Sequence, residues 1–168
     1  MPSTHLPRLG HALCELLCTR RVAALSTLDV ASGGPFVSMV PFAVDGAQRC
    51  IVLHLSALAA HTTNLNADAR AALLVTAPEP ETGAVHDLHR VTLMGRASTP
   101  EPDSALARSA RTAYLARFPE AAPMTGLLDF HFVTLRLTEA RQVAGFGTAR
   151  HVGADELSVV LSAAHAGA

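Results

Sequence analysis

The chain has 168 residues, 49% of them apolar, and a formal net charge of −1. This excludes a disordered chain and suits one domain that can bury its own core without disulfides or a metal. The lack of a basic run argues against nucleic acid as a partner, and the absence of Trp with a single Tyr argues against a stacking platform for bases.

Residues 5–20 predict a helix, with Leu9, Leu13, Leu16 and Leu17 on one stripe, Ser3 or Thr4 as cap and Pro7 in the first turn. Val22–Leu28 reads as a strand and 29–35 as a turn cluster with two adjacent glycines. Residues 36–45 and 49–55 flank Asp45-Gly46 and predict a hairpin. Phe36, Val40 and Phe42 alternate with Val37 and Met39, so the strand over 36–45 is expected to be covered on both faces. A short helix follows over 56–67, a strand over 69–77, a polar loop over 78–88 and a strand over 89–99. Residues 102–117 predict a helix with acids at its start, ended by Pro119 and Pro123. The last long strand, 129–142, shifts its apolar phase between Phe132 and Val133, which predicts a β-bulge there. The expected fold is all-β or α+β: a six-stranded antiparallel sheet closing on itself with flanking helices. One domain is expected over 1–150, followed by a tail over 151–168 with a short helix from about Asp155.

All thirteen basic residues are Arg, and charged residues make up 16% of the chain against about 25% in ordinary domains. So little charge predicts that part of the surface is covered by a second copy of the chain. Three cysteines without framework spacing predict a reducing compartment. No run approaches the ~18 apolar residues of a membrane span, and 1–20 lacks the pattern of a secretion signal. A cytoplasmic protein with no membrane partner is expected.

Signatures for dinucleotides, phosphate loops, zinc hydrolases and serine nucleophiles are absent. Cys14 and Cys18 share a helical face but read as small packing residues, and His86 and His89 read as a solvated loop, so no metal site is expected. Residues 55–70 run from a strand end into a helix start and cluster Ser56, His61, Thr62 and Asn64. Free backbone N–H groups with hydroxyls and an imidazole suit an anion, and helix capping by Ser56 is the plainer alternative.

Four blocks in this order, RVAALSTLD (21–29), PFVSMVPFAVD (35–45), LSALAAHTTNLNADARAALLV (55–75) and RVTLMGRA (90–97), with GFG at 145–147, resemble the FMN-binding split-barrel family typified by pyridoxamine 5′-phosphate oxidase. They are most similar to its short haem-utilisation branch. The resemblance implies a six-stranded split barrel and a homodimer with cofactor sites at the interface. It implies an FMN-dependent oxidoreductase of undefined substrate, with Ser38, Met39, Val40 and Pro41 lining the flavin ring. Ser56, His61, Thr62 and Asn64 would lie near the phosphate, with Arg90 and Arg96 reaching the site.

The oxidases of this family place an Arg and a Lys on the flavin strand and a Ser-Arg-Lys run at the phosphate. Here the matching positions hold Ser38, Ala43 and Ala59-Ala60-His61. Pyridoxamine phosphate oxidation itself is therefore not expected. His61 would be the one titratable group on the phosphate run, with its pKa raised by a bound dianion. The haem branch implies an alternative, a haem-binding or haem-degrading protein with His165 as iron ligand and Asp129 orienting it. A third reading is a cofactor-free binding module.

Overall fold

The computed structural model describes residues 6–145 and 147–165. The chain runs α1 (Arg8–Thr19), β1 (Val22–Leu28), β2 (Pro35–Pro41), β3 (Ala43–Asp45), β4 (Cys50–Ser56), α2 (Ala60–Ala67), β5 (Arg70–Thr76) and β6 (Arg90–Ser98). It continues through α3 (Ala105–Arg117), β7 (Phe130–Val143), β8 (Ala149–Gly153) and α4 (Ala154–His165), with short 3₁₀ segments at Val85–Asp87 and Pro119–Gly126. The residue before α1 is Pro7; the expected caps Ser3 and Thr4 lie outside the described residues.

The strands form one antiparallel sheet in the order β2-β1-β5-β6-β7-β4-β3, with β8 added on β7. Eight strands therefore stand where six are expected. The expected strand over 36–45 breaks at Phe42, because Pro41 has no N–H for the ladder and the Phe42 amide turns to the Arg21 carbonyl, 3.1 Å away. The two halves pair with opposite ends of the sheet, so the sheet curls until the chain itself joins its ends. The eighth strand, β8, forms where the sequence shows only the approach to the tail.

The inside of the curl is filled by Leu25, Ile51, Leu53, Leu73, Leu93 and Leu135 from the strands, by Leu13 and Leu17 from α1, and by Leu157 and Leu161 from α4. Leu157, Val160 and Leu161 of α4 are thus part of this core rather than of a frayed end. A second cluster packs α3 on the outside of β3 and β4, joining Cys50 and Val52 to Ala110, Tyr114 and Phe118. This makes β4 the strand buried on both faces. β2 differs from expectation: Val37 and Met39 on its outer face are 60% and 68% exposed.

The bulge also sits elsewhere than expected. Met94 pairs with Glu139 while Gly95 pairs with Leu137, so Thr138 is the extra residue on β7. The phase change at 132–133 is instead a change of neighbouring layer: Phe132 packs toward Tyr114 and the second cluster, while Val133 faces the main core. The turn between β3 and β4 spans four residues, 46–49, rather than an Asp-Gly pair. Asp45 fixes it, accepting from the Gln48 amide at 3.0 Å and from Ser109 Oγ on α3 at 2.6 Å, and Arg49 takes the left-handed conformation at φ 53°. Among the described residues no helix is long and apolar enough to cross a membrane.

Candidate functional site

The segment from β4 into α2 is held by its own polar side chains. Ser56 Oγ donates to Asp129 Oδ2 at 3.2 Å and accepts from the Leu58 amide at 3.2 Å. Thr62 Oγ1 donates to the Ser56 carbonyl at 2.7 Å. Asn64 donates to Thr27 Oγ1 at 3.0 Å and accepts from the Val30 amide at 3.2 Å, pinning α2 to the β1–β2 turn. Thr62 and Asn64 are each only 2% exposed. Thr62 and Asn64 thus turn their polar atoms into the chain rather than toward an open pocket with Ser56 and His61. Buried hydroxyls and amides find internal partners because leaving one unpaired costs about 1–3 kcal/mol.

His61 is the member that faces outward from this lock. Its Nδ1 lies 3.0 Å from Ser38 Oγ, so two residues 23 positions apart in the chain meet between α2 and β2. Burial pushes the His61 pKa below its ordinary value, leaving the imidazole neutral at pH 7. The side chains of the four expected ring-lining residues divide between two faces, since neighbours on a strand point to opposite sides. Ser38 and Val40 face inward, Val40 being fully in the core, while Met39 and Pro41 face out.

Arg90 and Arg96 are likewise separated. They lie six residues apart on β6, about 20 Å at the usual strand rise. Arg90 donates to the Leu88 carbonyl at 2.9 Å, at the foot of the 78–88 loop. Arg96 is exposed and stands directly across from Arg70 on β5. Arg70 forks onto Asp68, with contacts of 3.0 and 2.6 Å, and holds that carboxyl down to about 2. Arg70 is a residue the sequence reading passed over: only the β5–β6 register reveals it beside Arg96.

These two arginines edge an open concavity of about 460 Å³ on the outer face of the sheet, floored by Ser26, Ala72 and Met94. The same face carries an apolar row, because Met39, Ala24 and Leu74 are cross-strand neighbours over β2, β1 and β5. Asp129 serves Ser56, and the His165 side chain lies outside the described residues, as does Phe146 of the GFG run. His89 is no solvated loop residue: its Nε2 lies 3.1 Å from Gln142 Nε2, which also donates to the Leu9 carbonyl at 2.9 Å. Gln142 Oε1 accepts from Arg150 Nε at 2.8 Å, so the amide is oriented with its NH₂ toward His89, whose Nε2 must then be an unprotonated acceptor. Among the described residues no three His, Cys, Asp or Glu side chains form a metal cluster.

A curled antiparallel sheet closed through a bent strand, a short helix seated at its mouth and a free outer face define a split-barrel architecture. The chain belongs to the pyridoxamine 5′-phosphate oxidase family, whose model matches residues 9–144. It is 39% identical over 128 residues to the protein named non-canonical heme oxygenase HOZ, chloroplastic, of Arabidopsis thaliana, over 75% of this chain and 36% of that one. It superposes on a heme binding protein from Mycobacterium smegmatis with a TM-score of 0.81 and 28% identity, over 93% of this chain and 62% of that one. It also superposes on HutZ, described as a heme storage protein, from Vibrio cholerae, with a TM-score of 0.68 and 28% identity, over 77% and 89% of the two chains. The chain thus spans about a third of its curated relative's length.

Proposed function

We propose that this chain binds haem at the interface of a homodimer and serves haem storage or haem breakdown, in preference to flavin-dependent oxidation. The observation that carries this reading is the charge-free state of the segment over 56–64. The hydroxyls of Ser56 and Thr62 and the amide of Asn64 are spent on internal bonds, and the segment's one titratable group, His61, is held neutral by burial. A dianionic phosphate gains most from charged donors, and that segment offers none. A porphyrin asks for different things: a flat apolar surface, cations at its edge for two carboxylates, and a neutral imidazole for the iron. The outer face supplies Val37, Met39 and Leu74 as apolar surface and Arg96 at its margin. His61, neutral and hydrogen-bonded to inward-facing Ser38, stands on the other side of the same strand. By resemblance His165 would hold the iron and Asp129, from either copy, would steady it. The names of the relatives at 39% and 28% identity support the same choice. Bound haem would supply the iron-centred redox chemistry; the chain supplies the surface, the imidazoles and the exclusion of water.

The test is a titration of purified protein, freed of cofactor, with hemin and in parallel with FMN. Saturable growth of a Soret band at one haem or fewer per chain, lost on His165→Ala or weakened by Met39→Glu, is the expected result. A flavin spectrum retained through gel filtration would restore the FMN reading. Retention of neither would favour a cofactor-free binding module.

A further inference from the structure

A second cavity, of about 330 Å³, lies away from the outer face, enclosed by α1, α3, α4 and β3. Its walls are Leu17, Val44, Ala113 and Ala164, with the Cys18 thiol and the Arg117 guanidinium as polar members. Small side chains from α3 and α4 leave the space: Ala113 and Ala164 stand where longer residues would close it. Its size falls at the lower end of small-molecule sites, which run ~300–1,000 Å³ and are apolar with a few fixed polar groups.

Arg117 is unusual in this setting. Its Nη2 donates to the Leu17 and Arg20 carbonyls at the end of α1, and its guanidinium lies 5.8 Å from the centre of the Phe42 ring. Its Nε is buried with no hydrogen-bond partner, and no carboxylate among the described residues pairs with it. The neighbouring cation Arg21 is paired with Glu120. A partly buried cation without a counter-anion, beside an apolar cavity, is an arrangement that proteins otherwise avoid.

We infer that this cavity binds a small amphipathic carboxylate, with its apolar chain among Leu17, Val44, Ala113 and Ala164 and its carboxylate on Arg117. The pairing would satisfy the guanidinium with a charge-assisted bond while the tail displaces weakly held water from an apolar space. The inference does not rest on the haem reading, because no residue of this cavity belongs to the outer face.

Octanoate and its neutral counterpart octanol distinguish the two contributions. In calorimetric titration of the full chain, octanoate is expected to bind saturably, and octanol about tenfold or more weakly. Arg117→Met should bring octanoate down to the affinity of octanol and leave octanol unchanged. Since Arg117 also fastens α1, Ala113→Leu provides an independent arm: it fills the cavity and should abolish binding of both while the fold is kept. Octanoate should also slow alkylation of Cys18 by iodoacetamide, read by peptide mass spectrometry, without slowing that of Cys14, which does not line the cavity. Equal affinity for octanoate and octanol, unchanged binding in Ala113→Leu, or no saturable binding would overturn the inference.

Discussion

Gly95 and His54 show how single residues constrain this molecule. A Cβ at Gly95 would stand 2.2 Å from the Arg136 carbonyl oxygen across the bulge, and the contact is backbone, which cannot swing away. Gly95→Ala is therefore expected to destabilise the fold by about 3 kcal/mol or more, read as a lower denaturant midpoint. His54 sits in β4, 7% exposed, with its ring 4.7, 5.2 and 5.6 Å from those of Phe132, Phe130 and Tyr114. Its buried Nε2 has no partner, and burial together with nearby His131 lowers its pKa. His61 and His89 are lowered too, His89 against a smaller opposing pull from Glu15. Below about pH 6.5 the unfolded chain takes up protons that the folded chain refuses at these three sites, so stability falls as the pH drops from 7 toward 5. Above about pH 8 all three are neutral in both states and contribute no slope. Thermal melts across pH 5–8 should show this fall, and His54→Phe, which keeps the stacking, should make it shallower by the share of one site. A pH-independent midpoint in the wild type would contradict the neutral assignment.

Among the elements, α2 best separates what the sequence reveals from what it conceals. The helix was legible from its position after a strand end, and the polar residues were legible as a cluster. Which way each one points was not, because Asn64 finds its partners in β1 and the following turn, more than 30 residues back, and Ser38 reaches His61 only once β2 lies beside α2. Most strands were legible for the same local reasons, alternation and turn residues. The break at Phe42 was written in Pro41 but needed the curl to matter, and the bulge at Thr138 depends on a register with β6 that no local pattern carries. Asn64→Ala tests the reassignment: it should cost about 2 kcal/mol by stranding buried Thr27 Oγ1, and should speed hydrogen exchange around Val30. Haem or FMN affinity measured under conditions where the variant is folded should change little. A large loss of affinity without loss of stability would return Asn64 to the ligand site.

The whole molecule is poor in charge, and four of its exposed large apolar residues, Val22, Val37, Met39 and Leu74, gather on one face of the sheet. Val37 and Met39 project from the outer face of β2, Val22 and Leu74 lie on the adjoining β1 and β5, and Ala24 and Ala72 fill the positions between them. Contiguous apolar surface of this kind marks a contact, and a sheet face suits a self-complementary one related by a two-fold axis. The proposed dimer ties the charge-poor composition to the exposed face of β2, whose Val37 and Met39 are left uncovered by the chain itself. Sedimentation at micromolar concentration should give twice 17.5 kDa for the wild type. Val37→Asp with Met39→Glu places two carboxylates on that face without touching the core, so the variant should keep its far-ultraviolet spectrum and sediment at the mass of a single chain. Hemin affinity should fall in the same variant, because a site shared by two copies is halved when they part. A folded double variant that remains dimeric would move the interface to another face, and one that is monomeric yet binds hemin as tightly as wild type would place the haem within a single chain.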